Sequence, residues 1–106
     1  MDSRYIVVFI TVDSQENAQK IANKLLTERK AACVNIISKV ESHYWWQGKL
    51  ESSPEVLLVM KTTTTRLTAL EDLVVAQHPY DTPEFIVLPI NRGNKRYLTW
   101  LENSVA

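Results

Sequence analysis

The apolar positions near the start of the chain follow two successive patterns. Residues 5–12 form a continuous run of β-branched and aromatic residues, which predicts a central strand covered on both faces. Residues 13–16 then place an acceptor and, three positions later, a carboxylate, an arrangement that favours the start of a helix. Apolar residues recur next at the spacing of one helical face, and they are Ala18, Ile21, Ala22, Leu25 and Leu26. The pattern predicts a strand followed by an amphipathic helix.

The segment after this helix is typical of a long hairpin. Residues 32–46 form one extended run, residues 47–48 the turn, and residues 49–62 the return. Strands of ~14 residues span roughly 46 Å, whereas a compact chain of ~100 residues is only about 34 Å across. The outer part carries three large rings, those of Tyr44, Trp45 and Trp46. Because such rings lose their apolar contacts in water, we expect the hairpin to pack on other copies of the chain, with clefts between subunits.

The returning arm of the hairpin leads into a second helix. Pro54 interrupts the arm and predicts a bulge or a locally exposed edge, since proline lacks the N–H that a strand ladder needs. Residues 56–60 are apolar, and the threonines before Arg66 predict a helix cap. A second amphipathic stripe follows, made of Leu67, Leu70, Leu73 and Val74. Residues 78–79, His-Pro, predict the end of that helix.

The last quarter of the chain completes the order of elements. Residues 85–88 predict another buried strand, and Pro89 confines its end to an edge or a bulge. Tyr97, Leu98 and Leu101 predict a short final helix. The order β-α-β-β-α-β-α predicts an α+β fold, a ferredoxin-like βαββαβ sandwich with a long hairpin and an extra C-terminal helix, in one domain over residues 1–106. Both main helices would lie on one sheet face, and we expect neighbouring subunits to cover the other.

Composition narrows the class of partner and compartment. Twelve basic residues balance twelve acidic ones, so the total charge predicts neither nucleic-acid binding nor attraction to anionic lipid. Residues 56–60 lack the aromatic signature of an RNA-recognition strand, and no segment approaches ~18 consecutive apolar residues, so we expect no membrane span. Cys33 is the single cysteine, and no leader-like segment precedes the first strand, so we expect a cytoplasmic protein.

Polar chemistry concentrates in residues 76–84, between a helix end and a strand. His78, Tyr80, Asp81 and Glu84 stand there on a loop stiffened by two prolines. Such a loop could bind a cation or move a proton, because imidazole titrates near neutrality and carboxylates supply hard oxygen ligands. Alternatively, His78 interacts with the carbonyl end of its own helix and the loop side chains only bond turn amides.

Three further positions have both a functional and a structural interpretation. Cys33 could bind a soft metal if a neighbouring subunit completed the site, or it is a small apolar residue in a strand. Lys61 could act as a base or an anion ligand, or its amine simply reaches water at a strand end. Trp45 and Trp46 are adjacent on a strand and point to opposite faces, so at most one of them lines a given pocket. None of the familiar enzyme motifs is present.

Four motifs together give the chain a family resemblance. They are residues 31–35 (Ala-Ala-Cys-Val-Asn), 44–49 (Tyr-Trp-Trp-Gln-Gly-Lys), 61–63 (Lys-Thr-Thr) and 78–84 (His-Pro-Tyr-Asp-Thr-Pro-Glu). In this order and spacing the chain closely resembles the CutA family of divalent-cation tolerance proteins. The resemblance implies a ferredoxin-like subunit in a tight homotrimer, similar to PII signalling proteins, with long hairpins around neighbours and polar residues in inter-subunit clefts. It also implies a link to copper and other divalent cations, with no assigned reaction.

The resemblance further implies which residues line the cleft. They are Cys33, Tyr44, Trp46, Lys61, Tyr80 and Glu84, with His78 as the metal ligand and copper as a candidate ion. Some family members carry a cysteine where this chain has Ile10 and a histidine where it has Gln77. Because affinity for copper depends on soft ligands, these two departures weaken the expected copper site.

Three functions remain open from the sequence. The first is a cytoplasmic homotrimeric binding protein, not an enzyme, that takes a divalent metal or a small anionic ligand in its clefts, with a signalling role like that of PII proteins. The second is an enzyme in which Lys61, His78 and Glu84 act as acid–base groups. The third is a protein-interaction platform whose clefts carry no ligand.

Overall fold

The computed structural model describes residues 3–106 and contains four strands and three α-helices in that part of the chain. The strands are β1 (Tyr5–Val12), β2 (Cys33–Trp46), β3 (Lys49–Thr63) and β4 (Ile86–Pro89). The helices are α1 (Gln15–Thr27), α2 (Leu67–Gln77) and α3 (Lys95–Ser104), and a 3₁₀ turn at Thr64–Arg66 precedes α2. This order of elements confirms the order predicted from the sequence.

The four strands form one antiparallel sheet in the order β2-β3-β1-β4. Strands β1 and β2 run in the same direction with β3 between them, which is the split βαβ arrangement of ferredoxin-like folds. β4 pairs only with β1 and lies at the sheet edge, so Pro89 can end it without breaking an inner ladder.

One face of the sheet holds the hydrophobic core. Alternate residues of β1 and their partners on β3 are fully or nearly fully buried there, for example Ile10 beside Leu58. Helices α1 and α2 cover this face, and their buried contributions include Ile21 and Leu25 from α1 and Leu70 and Val74 from α2. Both main helices therefore lie on the same side, as the fold class requires.

Neither α1 nor α2 covers the opposite face of the sheet, and α3 contacts it at the start of β1, where the Tyr5 hydroxyl donates to Glu102. Val7 and Phe9 on β1 are only half-buried, and Ile86 and Leu88 on β4 are 46% and 44% exposed. A single chain therefore leaves the outer face of residues 5–12 and 86–89 uncovered, and its cover by neighbouring subunits stays a prediction. The reason is geometric: with both helices on one face, alternate side chains of every strand meet solvent on the other.

Strands β2 and β3 form the predicted hairpin and extend the molecule to 44 Å along its longest axis, against 26 and 23 Å along the others. β1 ends where Val12 pairs with Val56, so the outer part of β3 pairs with β2 alone. Gln47 and Gly48 both have positive φ, as a two-residue hairpin turn requires.

The hairpin bulge lies on the strand opposite the proline. The register shifts by one residue between Ile37 and Val40 of β2, where Lys39 adopts a φ of 62°. Pro54 stays in register with Glu41 on a stretch that β1 does not reach, so of the two predicted features the exposed edge is present and the bulge at Pro54 is not.

The start of α2 also differs from its prediction. Thr64 does not cap the helix, because its hydroxyl donates to the main-chain carbonyls of Ser3 and Arg4, the two residues just before β1. The 3₁₀ turn at Thr64–Arg66 enters α2 without a side-chain cap.

Candidate functional site

A cleft of about 640 Å³ opens beside the outer part of the hairpin. Its walls come from the end of β1, from β2 and β3, and from residues 80–84 of the loop after α2. A volume of this size falls within the ~300–1,000 Å³ range of small-ligand pockets. The cleft is therefore the candidate site of the chain.

Strand alternation decides which aromatic rings reach the cleft. Tyr44 and Trp46 lie on the same face of β2 and both line it, with the Tyr44 hydroxyl 3.1 Å from Ser53 Oγ. Trp45 points to the other face, stays 71% exposed and takes no part in the cleft. The structure thus brings one of the two tryptophans to the pocket, as expected from the period of a strand.

Glu55 lies at the inner end of the cleft and is 9% exposed. Its Oε2 accepts a hydrogen bond of 2.8 Å from the Tyr80 hydroxyl. Burial and this bond to a negatively charged partner raise the pKa of Tyr80 far above its usual range. The phenol therefore stays protonated and keeps the loop attached to β3.

His78 holds Tyr80 in place from the other side. Its Nε2 lies 2.7 Å from the Thr11 carbonyl, and its Nδ1 accepts a 3.1 Å hydrogen bond from the Tyr80 N–H. Because a carbonyl only accepts and an N–H only donates, the ring is neutral with its proton on Nε2. The ring is 8% exposed and bonds to β1, not to the carbonyl end of its own helix. Both nitrogens are thus occupied, and a metal would have to displace one of these bonds.

Glu84 is at the rim, next to Pro83 and close to Asp81 along the loop. Its side chain reaches solvent, yet the surrounding protein removes part of its water. That loss of solvation, together with the negative charge of Glu55, raises the pKa of Glu84 above its ordinary value. The carboxyl groups of Glu55 and Glu84 therefore lie close enough for the charge of Glu55 to make Glu84 a weaker acid.

Cys33 and Lys61 lie at the opposite end of the sheet. They are cross-strand partners, and the Lys61 amine donates a 2.7 Å hydrogen bond to Asn35 Oδ1, which the Cys33 thiol also contacts at 3.7 Å. Lys61 is six residues beyond Glu55 on β3, which corresponds to roughly 20 Å. Within one chain the predicted site residues therefore form two groups, and only Tyr44, Trp46, Tyr80 and Glu84 line the cleft.

Two residues important for these groups, Glu55 and Asn35, were not singled out from the sequence. Glu55 could have been identified from the sequence, because it directly precedes the apolar run 56–60. Strand alternation also places it on the same face as Leu57 and Lys61. Asn35 stood in a recognised motif, but its bond to Lys61 depends on strand register. Within residues 3–106, no group of three or more His, Cys, Asp or Glu side chains is arranged to hold a metal ion.

The fold and the cleft define a class of protein: a ferredoxin-like α+β domain with a protruding hairpin and a small-ligand pocket at its side. Residues 6–104 match the family described as CutA1 divalent ion tolerance protein. The chain belongs to this family, and the resemblance noted from its sequence is confirmed.

Relatives and solved structures agree with this assignment. The divalent-cation tolerance protein CutA of Thermus thermophilus is 49% identical over 92% of this chain and 95% of its own. A solved Thermus structure, described as divalent cation tolerance protein Cut A1, superimposes with a TM-score of 0.94 at 47% identity and covers 96% of this chain and 99% of that one. CutA1 from Oryza sativa gives 0.94 at 46% identity over 98% and 95%.

The plant relatives are longer than this chain. The proteins named CutA 1, chloroplastic, from Oryza sativa and CutA, chloroplastic, from Arabidopsis thaliana are each 48% identical over 93% of this chain, which spans only 56% and 54% of their lengths. A structure from Archaeoglobus fulgidus, with a TM-score of 0.93 at 38% identity over 96% of this chain and 99% of that one, is described as periplasmic. In residues 3–106, no helix has the length and apolar content needed to cross a membrane.

Proposed function

We propose that this chain forms a homotrimeric divalent-cation tolerance protein that binds a metal ion or a small ligand in clefts shared between subunits. The observation that carries the proposal is the position of the cleft, which opens on the hairpin arm that extends beyond the rest of the sheet. A neighbouring subunit packed along that arm would close the cleft and contribute its own residues to it.

Exposed apolar surface supports the assembly. The face of the sheet opposite the helices presents Ile37, Ile86 and Leu88, each more than 40% exposed, and the hairpin tip presents Trp45 and Leu50 at 71% and 69%. Large apolar areas of this kind usually mark protein–protein contacts, because leaving them in water is unfavourable. Second and third copies of the chain are the occupants that the family resemblance implies.

Assembly would also unite the two groups of site residues. Lys61 and its cross-strand partner Cys33 lie about 20 Å along the sheet from Glu55 of their own chain, so a neighbouring subunit is the source from which they would join Glu55 in a cleft. The small anionic ligand expected from the sequence would need Lys61 in this way, because the cleft of a single chain is lined by acids and by no lysine or arginine.

The cleft of a single chain offers little that would select copper. It contributes carboxylates from Glu55 and Glu84, whereas copper is selected by imidazole or thiolate. Both His78 nitrogens are already bonded, and the Nε2 of His43, the imidazole that lines the cleft, lies 2.6 Å from Glu41 Oε1. Ile10 is fully buried under the helices, so a cysteine at that position would not face the cleft. We therefore expect the cleft to bind divalent ions without the added preference for Cu(II) that free imidazole or thiolate ligands would give.

The alternative of an acid–base enzyme has less support. It requires Lys61, His78 and Glu84 around one substrate, but Lys61 lies at the other end of β3 and His78 is occupied by Thr11 and Tyr80. A role in signalling remains a prediction from the resemblance, and the interaction platform and the cytoplasmic location remain predictions from the sequence. The words chloroplastic and periplasmic describe particular relatives.

Sedimentation velocity at micromolar concentration, followed by calorimetric titration with Mn(II), Zn(II) and Cu(II), tests the proposal. The expected result is a trimer that binds at least one of these ions, with weaker binding in the Glu55→Gln and Glu84→Gln variants. The matched control is Glu51→Gln, which removes one charge from an exposed position of the same strand. A stable monomer would overturn the shared-cleft assembly, and equal metal affinity in all variants would overturn the site.

A further inference from the structure

Glu55 carries a nearly buried carboxylate that has no positively charged partner within residues 3–106 of its own chain. It belongs to none of the ion pairs in that part of the chain, and its one hydrogen bond runs from the neutral Tyr80 phenol to Oε2. Removing a carboxylate from water is costly unless a cation neutralises it. A second subunit that closes the cleft would remove the remaining water, so the assembled protein needs a cation at Glu55.

Lys61 has the opposite deficiency on the same strand. Its amine donates to the neutral Asn35 Oδ1, and it too is absent from the ion pairs within residues 3–106. The four described strands hold three lysines and no arginine, namely Lys39, Lys49 and Lys61. Lys61 is the one that lies where β3 pairs with both β1 and β2, and it is half-buried there. It is therefore the lysine that assembly through this part of the sheet would bury.

The two charges lie at the ends of an apolar stretch on the open face, the side of the sheet that α1 and α2 leave uncovered. Strand alternation puts Glu55, Leu57, Val59 and Lys61 on this face of β3, and both apolar residues are half-buried. Glu55 and Lys61 are separated by roughly 20 Å along the strand, so they cannot pair within one chain. A second open face complements this arrangement when its basic end lies at the acidic end of the first.

We infer that Lys61 of each subunit is the counter-ion of Glu55 in a neighbouring subunit, so that the acidic end of one open face meets the basic end of the next. The inference rests on the proposed function, since it requires the homotrimer, and it names the contact that completes each cleft. In a closed ring every subunit gives its Lys61 to one neighbour and receives a Lys61 from the other, which leaves no Glu55 unpaired. The ion pair thereby fixes which part of the neighbour each cleft accepts.

The two oxygens of Glu55 allow this pairing without loss of the Tyr80 contact. Oε2 accepts from the Tyr80 hydroxyl, whereas Oε1 accepts no bond within residues 3–106. No fully buried side-chain oxygen in that part of the chain lacks a partner, so Oε1 keeps access to the cleft. The ammonium of the neighbour can donate to Oε1, and such charge-assisted bonds are stronger than neutral ones. The same carboxylate then holds both the loop after α2 and the next subunit.

A double-mutant cycle on the intact protein tests the inference. The trimer association constant is measured by urea unfolding at several protein concentrations for the parent, Glu55→Gln, Lys61→Gln and the double variant. Each single variant leaves the other charge buried and unpaired, so we expect it to lower that constant about a hundredfold. The double variant should lose about tenfold less than the product of the two single losses. Because groups roughly 20 Å apart in one chain act independently, such coupling must arise between subunits.

Controls keep each outcome decisive. Lys49→Gln removes a charge from an exposed position on the same face of β3, and its effect should multiply independently with that of Glu55→Gln. If Glu55→Gln does not fold, Glu55→Asp replaces it in the cycle, because it withdraws the carboxylate by one methylene group and keeps the charge.

The result also separates this inference from the proposed function. A double variant that loses the product of the single losses within about twofold overturns the ion pair, and so does coupling of Glu55 to Lys49 in place of Lys61. Sedimentation velocity of the same samples gives the oligomeric state of the parent. A stable monomer overturns the proposed assembly, whereas a trimer with independent losses overturns only the ion pair.

Discussion

The Tyr80 hydroxyl donates a 2.8 Å hydrogen bond to Glu55 Oε2 and so joins the loop after α2 to the outer part of β3. That part of β3 has no support from β1, because the β1 ladder ends at Val56. The bond therefore fixes both the position of the loop and the orientation of the one nearly buried carboxylate in the cleft. Its removal is expected to affect stability as well as ligand binding.

Replacing Tyr80 by phenylalanine removes this bond and keeps the ring. We expect the free energy of unfolding to fall by about 1.5 kcal/mol, as for hydrogen bonds to charged groups. Urea denaturation at fixed protein concentration measures the change. Tyr97→Phe is the control, since Tyr97 is 41% exposed and its hydroxyl makes no hydrogen bond within residues 3–106. Equal losses in both variants would show that the Tyr80 contact contributes nothing.

His78 should remain a neutral ring with its proton on Nε2, whether or not metal is added. Nitrogen-15 NMR of the imidazole distinguishes the protonated from the bare nitrogen, and we expect Nδ1 bare and Nε2 protonated near neutral pH. Addition of one equivalent of Zn(II) should leave these signals in place, because both nitrogens are bonded within the fold. A large shift of either nitrogen would restore His78 as the metal ligand that the family resemblance implies. His43, which is exposed and paired with Glu41, serves as the internal comparison.

The raised pKa of Glu84 predicts a pH dependence of stability. Its pKa is higher in the folded chain, because of lost solvation and the charge of Glu55, so the folded state holds this proton more tightly than the unfolded state does. Between the two pKa values the free energy of unfolding therefore falls as pH rises. Glu84→Gln should reduce this slope, while Glu51→Gln leaves it unchanged. Urea titrations across the mildly acidic range measure it, and an identical slope in Glu84→Gln would refute the assignment.

Much of the fold was predictable because it depends on patterns that a linear sequence carries. The hairpin follows from its length and its Gln47-Gly48 turn, both of which the structure retains. Local bonds were harder to predict: Ser14, not Asp13, caps α1 by accepting from the Asn17 N–H, and Thr64 bonds back to β1. Which donor pairs with which acceptor depends on their positions in the folded chain. The periodicity of apolar residues does not reveal those positions.

The candidate site was predictable only in part for a related reason. The residues of the 78–84 loop could be found as a polar cluster, and strand alternation separated Trp45 from Trp46. The hydrogen-bond partner of Tyr80 could not be found from the sequence. Glu55 is 25 residues away and reaches Tyr80 only because of the sheet register and the path of the loop.

Cross-linking can establish whether clefts are shared between subunits. Cys33 is the only cysteine, so Thr82→Cys adds a single second thiol at the cleft. Within one chain Cys33 pairs with Lys61, which is six residues or roughly 20 Å along β3 from Glu55 in the cleft, whereas a disulfide needs Cα atoms within about 7 Å. We expect mild oxidation to link different subunits, seen as dimers and trimers in denaturing gels. Lys24→Cys on the exposed side of α1 is the control and should yield no such ladder.

Assembly itself should depend on the open face of the sheet. Ile86→Asp places a charge on β4 at a position that is 46% exposed in the single chain, and burying that charge between subunits would cost several kcal/mol. We therefore expect sedimentation velocity to show mostly monomer for this variant at concentrations where the proposed trimer of the parent should form. The matched control is Val75→Asp, since Val75 is 55% exposed on α2, on the side of the sheet that carries the helices. If both variants stay trimeric, the open face is not the contact surface; if both dissociate, the effect comes from general destabilisation and not from this face.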